Sequence, residues 1–98
     1  MNAEELKTFD KHVTILNKLG LHARPAAMLV KTSNKFKSDI TITKEGANGE
    51  TVNGKSIMGV MMLAASMGTR LNLKAVGEDC QAAVEALEQL IYGKFGEE

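Results

Sequence analysis

The chain has 98 residues, of which 44% are hydrophobic and 24% are charged. These values are typical of a globular domain and exclude a disordered or collagen-like chain. A chain of this length forms one small domain, residues 1–98, with a single core, so we expect any functional site to lie on its surface. Twelve Lys and Arg balance twelve Asp and Glu, which argues against a nucleic-acid binder.

The cysteine content and the hydropathy of the chain indicate the cellular compartment in which we expect the protein. Cys80 is the one cysteine, so neither an internal disulfide nor a cysteine-based metal site is expected. The acidic N-terminus lacks the apolar segment of a secretory signal, and the longest apolar run, residues 57–65, is too short to span a bilayer. We therefore expect a soluble cytoplasmic protein without a cofactor or metal, and without nucleic-acid binding or membrane insertion.

The first half of the chain predicts strand, helix, strand, strand. Residues 12–16 alternate at period two and indicate a strand. Pro25 favours the first turn of a helix and disfavours helical geometry at Arg24, so the predicted helix runs from about residue 25 to residue 35. Residues 40–43 alternate cleanly, and residues 50–52 form a short partner strand after turn residues that include Asn48.

The second half predicts helix, strand, helix. Ser56 is the expected N-cap of a helix over residues 57–66, which Gly68 ends. Residues 71–76 alternate as a strand, and residues 80–91 repeat apolar positions at helical spacing. The order βαββαβα predicts an α+β fold, in which one mostly antiparallel sheet carries its helices on a single face.

His22 is the first candidate for chemistry. It lies in a turn before a predicted helix, where unpaired backbone N–H groups and the helix dipole favour an anion. Arg24 adds a fork of donors for phosphate or carboxylate oxygens. The same positive surroundings favour a neutral, nucleophilic imidazole, as a phosphoryl relay requires. The alternative interpretation is that His22 only caps the helix.

Two other features have structural explanations as well as functional ones. His12 lies on a strand without nearby metal-ligand partners, so we interpret it as a partly exposed strand histidine. The helix over residues 57–66 is apolar nearly all round, which a chain this small cannot bury completely. Part of it is therefore predicted to form an exposed docking surface, and its methionines suit several partners.

Two motifs together give the chain a family resemblance. Residues 20–27 (GLHARPAA) and residues 53–61 (NGKSIMGVM) resemble the HPr family of histidine-containing phosphocarriers of the bacterial phosphoenolpyruvate phosphotransferase system. The resemblance extends over about residues 11–91. It implies a single HPr-like domain folded as an open-faced β-sandwich, with four antiparallel strands and three helices on one side.

The resemblance also implies roles for individual residues. His22 would accept a phosphoryl group on Nδ1 from phosphorylated enzyme I and pass it to a histidine of an enzyme IIA domain. Arg24 would stabilise the phosphate, and Ser56 would be the target of HPr kinase/phosphorylase in bacteria that have it. The protein would be a monomeric carrier and not an enzyme. The implied partner-docking residues are Ala27, Ile57, Met58 and Met61.

The resemblance does not decide between the sugar-transport and the nitrogen branch of the phosphotransferase system. Residues 17–20 and the segment 93–98, which extends beyond the motifs, resemble the nitrogen-branch regulatory paralogue. Residues 54–60 resemble the sugar-transport and regulatory type. A further alternative is an anion-binding regulatory module that is never phosphorylated on His22.

Overall fold

The computed structural model describes residues 7–46 and 49–97. The N-terminal acidic residues and Asn48 of the predicted turn lie outside this part of the chain. A single turn, Lys94–Gly96, follows the last helix. In chain order the elements are β1 (Thr8–Thr14), α1 (Ala23–Ser33), β2 (Asp39–Lys44), β3 (Thr51–Asn53), α2 (Ile57–Met62), β4 (Arg70–Val76) and α3 (Cys80–Tyr92).

The four strands form one antiparallel sheet in the order β1-β4-β2-β3. Val13 lies opposite Leu71, and Ile42 lies opposite Leu73, with all four side chains buried. Alternate positions of the same strands face solvent, because successive side chains in a strand point to opposite faces. The open, one-sided sheet and the βαββαβα order confirm the predicted fold class.

The helix α3 covers the side of the sheet formed by the edge strand β1 and its neighbour β4. Its buried side chains repeat at helical spacing, as the sequence predicted. Burying each large aliphatic side chain stabilises the fold by roughly 1.5–3 kcal/mol relative to leaving it exposed. The buried residues of α3 are Cys80, Ala83, Val84, Leu87 and Ile91.

The start of α1 differs from the prediction. The helix begins at Ala23, two residues before Pro25, and Arg24 is helical although it precedes a proline. The Ala26 N–H donates to the His22 carbonyl oxygen at 3.0 Å. The N–H groups of the first turn have no partner within a helix, so proline is tolerated there without loss of a hydrogen bond.

The helix α2 is shorter than the predicted span of residues 57–66. It ends at Met62, and Ala64 adopts a positive φ of 49°. This turn directs the following backbone towards the loop before α1, where the Leu21 N–H donates to the Ala65 carbonyl oxygen at 2.8 Å. A tertiary contact therefore ends the helix before its apolar pattern does.

The first strand also differs in extent. It was predicted over residues 12–16, but pairing with β4 covers Thr8–Thr14. The Ile15 N–H instead donates to the Thr69 carbonyl oxygen in the loop before β4. Pairing with the neighbouring strand thus recruits residues 8–11, whose sequence alone did not indicate a strand.

Candidate functional site

His22 occupies the N-cap position of α1 without acting as a side-chain cap. Its backbone is extended, with φ −75° and ψ −173°, and its side chain makes no capping hydrogen bond. His22 is thus the N-cap residue of α1 by its backbone position, and its imidazole is not engaged in capping. The side chain is 37% exposed, so the ring can meet a reactant at the surface.

The loop before His22 is held by backbone contacts. Gly20 has a φ of 67°, a conformation that favours glycine. The buried Asn17 donates from Nδ2 to the Gly20 carbonyl oxygen at 2.8 Å. With the Leu21–Ala65 hydrogen bond, these contacts fix the position from which the His22 side chain projects.

A surface depression of about 590 Å³ adjoins the imidazole. Two cationic side chains, Lys18 and Arg24, belong to its wall, and both residues are exposed. The first backbone N–H groups of α1 lie beside them, so the local field favours an anion. The residues that line the depression are Lys18, Leu19, His22, Arg24, Gly96 and Glu97.

The C-terminal segment folds back into this depression. Lys94, Phe95 and Gly96 all have positive φ values, between 55° and 75°. That conformation is strained for the two non-glycine residues, by about 1 kcal/mol or more each. Phe95 is only 1% exposed, and burial of its ring offsets the strain and anchors the turn.

The anchored turn places Glu97 against His22. The Glu97 Oε2 lies 3.0 Å from the His22 Nε2, and Oε1 lies 3.4 Å from the same nitrogen. The Asn17 Nδ2 also donates to Glu97 Oε1 at 3.1 Å. Sequence reasoning missed Glu97, since it treated segment 93–98 as lying outside the motifs; an aromatic residue between two glycines was the available signal.

Ser56 has the local role that the sequence predicted. It is the N-cap of α2, and its hydroxyl oxygen accepts a hydrogen bond from the Gly59 N–H at 3.1 Å. The residue is partly buried. A structural function, capping of α2, therefore accounts for a serine at this position.

An exposed apolar patch lies on α2, which packs against α1. Met58 is 69% exposed, whereas Val60 on the same helix is fully buried. The helix therefore has one face in the core and another in solvent, as its all-round apolar sequence required. The residues that the sequence predicted for docking, Ala27, Ile57, Met58 and Met61, are all exposed, and we call this predicted surface the docking patch.

The second histidine lies away from this site on the open face of the sheet. His12 Nδ1 contacts the Glu45 carboxylate, which also lies 3.5 Å from Arg70 Nε. Within residues 7–46 and 49–97, no group of three or more His, Cys, Asp or Glu side chains is arranged to hold a metal ion. None of the helices in these ranges combines the length and apolar character needed to cross a membrane.

Known proteins match both the sequence and the fold. The family model described as "PTS HPr component phosphorylation site" matches residues 9–92. The phosphocarrier protein HPr of Neisseria meningitidis is 51% identical and covers 87% of this chain and 92% of that protein.

Two solved structures from Thermoanaerobacter tengcongensis have the same fold. HPr-C-His is 47% identical, with a TM-score of 0.84 over 92% of this chain and 98% of that one. An HPr dimer from the same organism is 48% identical, with a TM-score of 0.70 over 87% and 94% of the respective chains. The family match, the identity and the shared fold place the chain in the HPr family of phosphocarrier proteins of the phosphotransferase system.

Proposed function

We propose that the chain carries a phosphoryl group on His22, accepting it from phosphorylated enzyme I, which phosphoenolpyruvate charges, and passing it to an enzyme IIA domain. The observation that carries this proposal is the partly exposed imidazole at the start of α1, beside a depression with Lys18 and Arg24 in its wall. The chain is a carrier and not an enzyme, so the docked donor and acceptor supply the rest of each reaction site.

The chemistry suits a surface imidazole. An unprotonated ring nitrogen attacks phosphorus, the P–N bond to the donor histidine breaks, and the phosphoryl oxygens meet the first N–H groups of α1 and the Arg24 guanidinium. We assign the new bond to Nδ1, since Nε2 faces the Glu97 carboxylate. Arg24 is exposed, so its side chain is free to follow the phosphate.

The test is intact-mass analysis after incubation with phosphoenolpyruvate and enzyme I. One added phosphate that is lost in acid is expected, because phosphohistidine is acid-labile and phosphoserine is not. His22→Ala should abolish the addition, and His12→Ala, which removes the other histidine, should leave it unchanged. If wild type gains no phosphate from active enzyme I, the anion-binding module becomes the better interpretation.

We propose that enzyme I and enzyme IIA bind this chain through the docking patch. Ile57 and Met61 are 43% and 44% exposed, and Met58 is more exposed still. Apolar side chains in a contiguous exposed group mark interaction surfaces, and methionine adapts to partners of different shape. A carrier that must bind both enzyme I and enzyme IIA needs such an adaptable surface beside the reactive histidine.

Ser56 is proposed as a regulatory site for HPr kinase/phosphorylase where that enzyme is present. A phosphate there would suit the positive end of α2. It would also place negative charge next to Ile57, an exposed residue of the docking patch. We therefore expect phosphorylation of Ser56 to weaken partner binding without unfolding α2.

A nitrogen-branch carrier is the second candidate. Of the two segments that resemble that branch, residues 17–20 contact the described part of the second, residues 93–97, through Asn17 and Glu97. They therefore form one local structure beside His22. Rates of transfer from the phosphorylated chain to a sugar-type and to a nitrogen-type enzyme IIA would distinguish the branches, with faster transfer identifying the cognate acceptor.

The monomeric state and cytoplasmic location remain predictions.

A further inference from the structure

We infer that Glu97 is a positioning residue for phosphoryl transfer, which holds the His22 proton on Nε2 and leaves the Nδ1 lone pair free to attack. This inference rests on the proposed function of His22. It goes further, because it assigns a role to a residue outside both sequence motifs.

The contact geometry defines the proton's position. A carboxylate can only accept hydrogen bonds, so the 3.0 Å approach of Glu97 Oε2 to His22 Nε2 requires a proton on that nitrogen. In the neutral imidazole the other nitrogen then has no proton. Glu97 thus selects the tautomer in which Nδ1 is the nucleophile.

Glu97 is itself fixed in place. Asn17 is fully buried and donates from Nδ2 to Glu97 Oε1 at 3.1 Å, while the same amide nitrogen binds the Gly20 carbonyl oxygen. On the other side, the buried Phe95 anchors the turn that carries Glu97. The carboxylate is therefore oriented by two independent attachments, and its side chain is only 16% exposed.

Charge balance gives the carboxylate a second effect. When Nδ1 attacks phosphorus, the ring keeps its Nε2 proton and gains a positive charge as the new N–P bond forms. A hydrogen-bonded carboxylate stabilises that charge as it develops. The negative charge of Glu97 lies at Nε2 and not at the nitrogen that receives the phosphate, so pairing with the ring outweighs repulsion of the incoming group.

Phosphoramidate provides a test that does not depend on docking. This small donor transfers its phosphoryl group to an unprotonated imidazole nitrogen, which the inference expects to be Nδ1, while its P–N bond breaks and ammonia leaves. Acceptance rates and imidazole ¹⁵N shifts, the latter at a pH where the ring is neutral, would be measured for wild type, Glu97→Ala, Glu97→Gln and Glu78→Gln. Glu78 is an exposed carboxylate just beyond the C-terminal end of β4, and it serves as the matched control.

Glu97→Ala should mix the two tautomers and slow acceptance on the order of tenfold, equivalent to the loss of one charge-assisted hydrogen bond. Glu97→Gln keeps an acceptor oxygen, so the Nε2–H tautomer should persist while acceptance slows by about threefold through loss of the charge. Glu78→Gln should match wild type in both measurements.

A wild-type tautomer in Glu97→Ala would overturn the inference, and so would a wild-type or faster rate in that variant. A faster rate would mean that the carboxylate repels the incoming phosphoryl group. The proposed function is judged separately. If enzyme I fails to phosphorylate His22 while both Glu97 effects appear with phosphoramidate, the carrier role fails and the positioning role stands.

Discussion

Gly20 lies against the backbone of Ala65, so a Cβ on Gly20 would be 2.4 Å from the Ala65 carbonyl oxygen. That same oxygen accepts the Leu21 N–H at 2.8 Å. The loop that carries His22 is thus seated directly on the segment that follows α2. Because atoms cannot approach so closely, any side chain at position 20 must displace one of the two segments.

Gly20→Ala is expected to destabilise the fold by about 2–4 kcal/mol, since it combines a positive φ with a backbone clash. The melting temperature should fall by roughly 10 °C or more in a thermal unfolding experiment. Gly49→Ala is the control, because Gly49 has a φ of 54° with nothing within 4 Å of the added Cβ. Equal losses in both variants would show that the close approach is unimportant.

Arg24→Ala should slow phosphoryl transfer from enzyme I by about tenfold without preventing it, since the first N–H groups of α1 remain. Arg24→Lys should recover only part of the rate, because an ammonium lacks the planar fork of a guanidinium. Single-turnover transfer measured by rapid quench would give both rates. Lys35→Ala removes an exposed cation just after α1 and should leave the transfer rate unchanged. If the rate fell equally in Lys35→Ala and Arg24→Ala, the effect of Arg24 would be one of net charge only.

Two substitutions at Ser56 can distinguish its role as a helix cap from its effect on docking. Ser56→Ala loses the hydrogen bond from the Gly59 N–H and should reduce stability by about 1 kcal/mol. Ser56→Asp keeps a capping oxygen, so its stability should stay near that of wild type while its affinity for enzyme I falls. Calorimetric unfolding and binding titrations would measure the two properties. Unchanged affinity in Ser56→Asp would leave Ser56 as a cap and nothing more.

Met58→Glu should weaken binding to enzyme I by about tenfold, the loss typical of an important interface side chain. Met58 is largely exposed, so the unfolding temperature should change little. Thr8→Glu adds the same charge on the solvent-facing side of the sheet and should bind like wild type. If the two variants weakened binding equally, the effect would be one of overall charge and not of the docking patch.

Asp79 lies at the end of the sheet remote from His22, and it should make the stability of the fold depend on pH. Hydrogen bonds from the Ser38 hydroxyl and from the Lys37 N–H hold its pKa at about 2, below the ordinary value of 3.8. A lowered carboxyl pKa stabilises the fold above pH 3.8, and this stabilisation is lost as the pH falls towards 2.

Denaturant unfolding between pH 7 and pH 2 would measure this contribution. Asp79→Asn should be less stable than wild type at neutral pH, and the difference should shrink as the pH falls from about 4 to 2. Glu78→Gln, at the neighbouring exposed carboxylate, serves as the control. A difference that stays constant over the whole range would mean that the hydrogen bonds, and not the ionised form of Asp79, stabilise the loop.

The sheet and α3 could be predicted because their buried side chains follow a simple period. In β2 and β4 apolar and polar residues alternate, and one face of each strand is buried. In α3 the buried positions recur every three or four residues. One-sided burial leaves such a pattern in the sequence, so the layer order follows from it.

The end of α2 and the position of Glu97 could not be predicted in this way. The contact of Glu97 with His22 joins residues 75 positions apart in the chain, and no local pattern encodes a pairing of that kind. The left-handed turn at Phe95 depends on burial of one ring in a pocket that the finished fold supplies. Motif spacing identified His22 and Arg24 as candidates, whereas the oriented carboxylate required the tertiary structure.

The open face of the sheet offers a place to attach a spectroscopic reporter. Lys74 is exposed there in β4, on the side away from the helices, the docking patch and His22. The natural thiol, Cys80, is buried in α3, so a maleimide dye should react selectively with the new thiol in Lys74→Cys. A carrier labelled at that position could be followed as it binds and leaves each partner, with the reactive end of the molecule unmodified.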